Sequence, residues 1–122
     1  MKARAPANDG QIGVLTVAGD IIDGEAGPGT AGGDTISDLL LTALDQRNLK
    51  ALVVRVDSPG GSVMASERIR SAIMQAKEDG LPVVVSMGNV AASGGYWVST
   101  PGDVIFAEPE TITGSILSLI HI

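Results

Sequence analysis

Apolar and polar positions along this chain switch between two periods. Ile12-Gly13-Val14-Leu15-Thr16-Val17 predicts a first strand. Ala51-Leu52-Val53-Val54-Arg55-Val56 is an almost unbroken apolar run, as suits a parallel strand buried on both faces. Pro82-Val83-Val84-Val85-Ser86-Met87 and Val104-Ile105-Phe106-Ala107 predict two more strands. Between the strands the spacing becomes helical. Ile36, Leu39, Leu40, Ala43 and Leu44 form one face of a helix that Asp34 or Thr35 would cap, with Asp38 in its first turn. Ile69, Ala72, Ile73 and Ala76 form the inner face of a second helix over 65–78, which Gly80 ends. A short helix from about Gly94 to Ser99 is stopped by Pro101-Gly102. Residues 19–33, rich in glycine, read as a loop with a short extended piece at Ile21-Ile22. Strands alternating with helices at this spacing imply βαβ units, hence an α/β fold with a mainly parallel sheet.

Length and composition narrow the picture. The 122 residues suit one small domain, and 44% hydrophobic content supplies a core. Aromatics are only 2%, so that core must be aliphatic. A net charge of −6 argues against binding nucleic acid through a basic face. With no cysteine, disulfides and thiolate metal sites are excluded, while the compartment stays open. No apolar run reaches the roughly 18 residues that a membrane span needs.

The two ends differ from the middle. Residues 1–10 read as a flexible lead-in. Met1-Lys2-Ala3-Arg4 is basic, but Pro6-Ala7-Asn8-Asp9-Gly10 is polar, so no signal-peptide core follows. Ile112-Thr113-Gly114-Ser115-Ile116 begins a further element. Leu117-Ser118-Leu119-Ile120-His121-Ile122 reads as a non-native tail encoded by a sequencing adapter, which would make the single histidine, His121, foreign. An apolar C-terminal strand is the alternative.

Two stretches could carry chemistry. Ser58-Pro59-Gly60-Gly61-Ser62 follows one buried strand and precedes a helix, so its backbone N–H groups would point beyond the strand ends, where such donors stabilise an oxyanion. A plain turn explains the same residues, and a phosphate loop lacks its Gly-Lys-Ser/Thr. Gly88-Asn89-Val90-Ala91-Ala92-Ser93-Gly94-Gly95 follows the next strand and sets a serine among small residues at a strand-to-helix elbow. Such a serine serves structure as readily as catalysis. The two stretches end consecutive strands, however, and in an open parallel sheet those ends meet in one crevice. Ser93 is then the candidate nucleophile, with the Gly94 N–H as a second donor.

A serine nucleophile needs a base. Lys2 lies in the lead-in, Lys50 at the wrong end of its strand, and Lys77 near the far end of its helix, where it reads as solvated. None is well placed. Asp57 either caps its turn or orients a partner, with the cap the simpler reading. Tyr96 and Trp97 are expected to pack the short helix onto the sheet.

Val54-Arg55-Val56-Asp57-Ser58-Pro59-Gly60-Gly61-Ser62 and Ala91-Ala92-Ser93-Gly94-Gly95-Tyr96-Trp97-Val98-Ser99-Thr100-Pro101, with Thr111-Ile112-Thr113-Gly114-Ser115-Ile116, closely resemble serine peptidase family S49. The resemblance runs over residues 11–116 as a partial peptidase domain. It implies the Clp-protease/crotonase-like ββα spiral, here truncated. It implies a Ser/Lys dyad with Ser93 as nucleophile and an oxyanion hole from Gly60, Gly61 and Gly94. The family's lysine maps onto no residue of this chain, and Gly32-Gly33-Asp34-Thr35 resembles the C-terminal half of the long tandem form, whose lysine lies upstream. The fragment alone would then be inactive. No metal or cofactor is implied. The implied substrates are cleaved signal peptides. The implied setting is a homo-oligomer on the periplasmic side of the bacterial inner membrane, anchored by segments outside this chain. A crotonase-type acyl-CoA enzyme and a non-catalytic assembly domain are the rival readings.

Overall fold

The computed structural model describes residues 10–27 and 29–107. In chain order its elements are β1 (Gln11–Ala18), β2 (Asp20–Ile22), β3 (Thr30–Gly32), α1 (Gly33–Gln46), β4 (Leu49–Ser58), α2 (Val63–Glu78), β5 (Val83–Ala91), α3 (Gly94–Ser99) and β6 (Val104–Ala107). The lead-in, the 111–116 motif and the 117–122 tail with His121 fall outside the described residues.

β1, β4, β5 and β6 form one sheet in that order, every pair parallel. Each link between neighbouring strands runs through a helix, as a parallel connection requires. The fold class is therefore α/β with a mainly parallel sheet, as expected from the alternating periods. The glycine-rich stretch holds more order than the loop expected there. β2 and β3 pair in parallel as a second, two-stranded sheet, and Ile21 bridges on to Gly61. The runs that build this sheet are too short for periodicity to register.

Among the described residues, only one face of the large sheet is covered. Leu15, Val54 and Val85 lie in one cross-strand row, and Val17, Val56 and Met87 in the next; all six are buried. They join Ile36, Leu40, Ile69 and Ile73 in the core. The other face carries the rows Val14-Val53-Val84-Val104 and Thr16-Arg55-Ser86-Phe106. There Val14 and Phe106 are each 61% exposed. Among the described residues β4 is thus covered on one face, not on both as its apolar run suggested.

The helices show where local signals hold. All four expected inner residues of α2, Ile69, Ala72, Ile73 and Ala76, are buried. Ser62 caps this helix, accepting the Ala65 N–H at 3.1 Å. α1 differs from expectation at its start. Its N-cap is Gly32, with no side-chain cap. The Asp34 N–H instead donates to the Gly24 carbonyl at 2.9 Å, and Thr35 Oγ1 accepts the Ala26 N–H at 3.0 Å. Asp34, not Asp38, is the acid of the first turn, and it pairs with Arg68 of α2 at 2.6 Å. Leu39 is 62% exposed, so the inner face of α1 is narrower than its apolar stripe. Among the described residues no helix is long and apolar enough to cross a membrane.

Candidate active site

The site forms where β4 and β5 end side by side. β5 runs to Ala91, the chain turns at Ala92-Ser93, and α3 begins at Gly94. Ser93 sits at φ 50°, ψ −119°, the one residue other than glycine with positive φ among the described residues. That conformation costs on the order of 1–3 kcal/mol and persists only where its surroundings enforce it. A strained serine on a strand-to-helix turn is the geometry that lifts a nucleophilic hydroxyl clear of the backbone.

Close packing enforces it. Gly95 lies against the Ser58 carbonyl so tightly that a Cβ would collide with it. Gly94 faces Ser66 Oγ in the same way. Gly60, at φ +102°, lies against Ser93 and the Gly94 nitrogen. The two glycine-containing turns are therefore in contact, which the chain order alone could only suggest.

Ser58, fully buried, ties the turns together. Its hydroxyl donates to the Gly19 carbonyl at 2.6 Å and accepts the Gly60 N–H at 3.0 Å. Its carbonyl accepts the Ala92 N–H at 3.1 Å. The Gly60 N–H, expected as an oxyanion donor, is thus engaged by Ser58 in this structure. The N–H groups of Gly61 and Gly94 have no acceptor among the described residues. Asp57 does not cap its own turn; its Oδ1 accepts the Val90 N–H of β5 at 3.2 Å.

Beside Ser93 lies a cavity of about 240 Å³ lined by Gly61, Val63, Ser66, Ser93, Gly94 and Trp97. Val63 is 81% exposed and gives one wall an apolar surface. Trp97 gives the other. Tyr96 packs against the core as expected, but Trp97 turns toward α2. Its indole N–H donates to Glu67 Oε1 at 2.7 Å, and the Arg70 guanidinium stands 5.0 Å from the ring centroid. The indole hydrogen bond, ahead of the bonds from Ser71 and Arg70, holds the Glu67 carboxyl below its ordinary pKa. Glu67, Arg70, Ser66 and Ser58 gave no sign of these roles in the sequence, since the bonds that bring distant parts of the chain together here, Trp97 to Glu67, Arg70 to Thr100 and Ser58 to Gly19, span 30 to 39 residues.

No lysine among the described residues reaches this site. Lys50 is at the start of β4, the end opposite Ser58. Lys77, expected to be free in solvent, pairs with Asp103 at 3.2 Å near the start of β5. Lys2 is outside the described residues.

A parallel sheet with helices linking its successive strands has the fold of the Clp-like proteases. ClpP1 from Listeria monocytogenes, in mutant form, superposes with a TM-score of 0.64 at 23% identity, over 80% of this chain and 52% of that one. A mutant 1510-N membrane-bound stomatin-specific protease, in complex with a substrate peptide, gives 0.62 at 24% identity, over 85% of this chain and 44% of that one. Both are likenesses of fold. The sequence is more specific. Residues 75–117 match the model of peptidase family S49, and the chain is 53% identical over 114 residues to Protease 4 of Salmonella typhi. The chain belongs to peptidase family S49. The alignment takes in 93% of this chain and 18% of that relative.

Proposed function

We propose that this chain provides the nucleophile and the oxyanion hole of a serine endopeptidase. The observation that carries the reading is the strained backbone of Ser93, held beside two N–H groups that no acceptor among the described residues uses. Ser93 Oγ attacks the scissile carbonyl. The N–H groups of Gly61 and Gly94 receive the oxygen of the tetrahedral intermediate, each worth roughly 10²–10³ in rate. The proton of Ser93 passes to a lysine outside the described residues, whose ammonium pKa falls toward neutrality once desolvated. The peptide lies extended beside the cleft, pairing with exposed backbone. The substrates are cleaved signal peptides. The full assembly is an oligomer at the bacterial inner membrane, with this domain on the periplasmic side.

Family membership supports this reading over the acyl-CoA alternative. The test is labelling of the intact protein with a serine-reactive phosphonate. One label at Ser93, absent in Ser93→Ala, is the expected result. Labelling that survives Ser93→Ala moves the nucleophile elsewhere. No labelling of the intact protein favours the assembly-domain alternative.

A further inference from the structure

Trp97 follows the Ser93 elbow by one helical turn and forms a wall of its cavity, yet it is 40% exposed. An exposed indole N–H is readily satisfied by water, and an exposed ring ordinarily samples several rotamers. Here the ring is restrained on its edge and on its face. Glu67 Oε1 accepts the indole N–H. Glu67 Oε2 is itself fixed by Arg70 Nη1 at 3.2 Å and Ser71 Oγ at 3.1 Å. Arg70 stands over the ring and reaches Thr100 Oγ1 with its Nε at 3.3 Å. Thr100 Oγ1 in turn donates to the Trp97 carbonyl at 2.8 Å. Every restraint on the indole comes from α2 or from the end of α3.

We infer that Glu67 is a positioning residue for specificity: by fixing the indole of Trp97, it sets the width of the Ser93 cleft and so selects for a large apolar substrate side chain beside the scissile bond. This rests on the reading of Ser93 as the nucleophile. The charge-assisted bond from Glu67 orients the ring, and the guanidinium over the ring holds it flat. The ring and Val63 then line the cavity as two apolar surfaces. A large aliphatic or aromatic side chain buries more area against a held ring than a small one does. With the ring released, the cleft has no defined width and that discrimination is lost.

The test compares Glu67→Gln and Glu67→Ala with the parent protein. Trp97 is the one tryptophan of these 122 residues, and a Trp97→Phe protein supplies the blank for any other indole in the intact protein, so the difference emission reports on the ring. The expected result is a red-shifted, more quenchable emission in both variants. In the intact protein, the kcat/KM ratio for peptides with Leu rather than Ala before the scissile bond should fall roughly five- to twentyfold, mostly through KM of the Leu peptide. Turnover of the Ala peptide should stay within about twofold. Unchanged emission overturns the inference. So does a lower melting temperature with an unchanged Leu/Ala ratio, which would make Glu67 a brace between helices and nothing more. Released emission in a protein whose Ser93 takes no phosphonate would instead overturn the reading of Ser93.

Discussion

Gly60 and Gly94 touch backbone to backbone: a Cβ on Gly60 would stand 2.6 Å from the Gly94 nitrogen and 2.9 Å from Ser93 Cβ. The Gly60 position thus guards the N–H assigned to the oxyanion. Gly60→Ala should shield that N–H and push the elbow away, besides straining a residue at φ +102°. Peptidase activity should fall at least about a hundredfold, the typical loss for one oxyanion donor. Single-turnover kinetics on the intact protein checks this. Near-normal rates would show that the two turns separate in solution.

Ser58→Ala should act through stability. It leaves the Gly19 carbonyl and the Gly60 N–H without their buried partner. An unsatisfied buried polar group costs about 1–3 kcal/mol, so urea midpoints should fall accordingly. Ser62→Ala removes a helix cap and should cost about 1 kcal/mol. A Ser58→Ala effect no larger than that of Ser62→Ala would mean that water replaces the lost hydroxyl.

α1 offers an internal control on what its apolar stripe means. Leu40 is 2% exposed and Leu39 is 62% exposed. Leu40→Ala should cost about 2–5 kcal/mol by leaving a cavity. Leu39→Ala should stay within about 0.5 kcal/mol if that side chain faces solvent in the intact protein. A large loss at Leu39 would reveal a neighbour covering it.

The acid side of the pH profile has a defined sign. Glu67 has its folded pKa lowered from 4.5, first by the Trp97 bond. Arg70 is the charged group facing it, with Ser71 and Trp97 as its further hydrogen-bond partners. Asp103 is lowered from 3.8, first by the Val83 N–H and then by Lys77. A group with a depressed folded pKa adds stability above its unfolded pKa and loses it as pH falls through the folded value. Trp97 emission should therefore be flat from neutral pH down to the ordinary carboxylate range and change below 4.5. A transition near pH 6 would assign control of the ring to another group.

How much of this was legible in the chain depends on the range of each signal. The strands around Val54 and Val85, and the buried face of α2, follow from periods that repeat within a few residues. The span of α3 was visible because Gly94 and Pro101-Gly102 bracket it. Ser93 stood out through its small neighbours. What stayed hidden depends on contacts between distant residues. Ser58 meets Gly19 across 39 residues, and Trp97 meets Glu67 across 30. No local pattern encodes either pairing. Gly60 was legible as a turn, but whether its N–H was free could not be read, because the acceptor is a hydroxyl two residues earlier that might have pointed elsewhere. The one-sided burial of β4 was missed for a related reason, since an apolar run does not say how many layers cover it.

The turn after α2 lies at the opposite end of β5 from the elbow. Gly80 adopts φ +92° there, with nothing within 4 Å of where a Cβ would be. Nine strand residues separate that turn from Ser93's end of the sheet, roughly 30 Å of extended chain. The proposed site and the Gly80 turn therefore lie at opposite ends of β5. An epitope or a small fluorescent module spliced in at Gly80 would extend from the end away from Ser93, giving a way to follow or immobilise the protein while the serine cleft stays open.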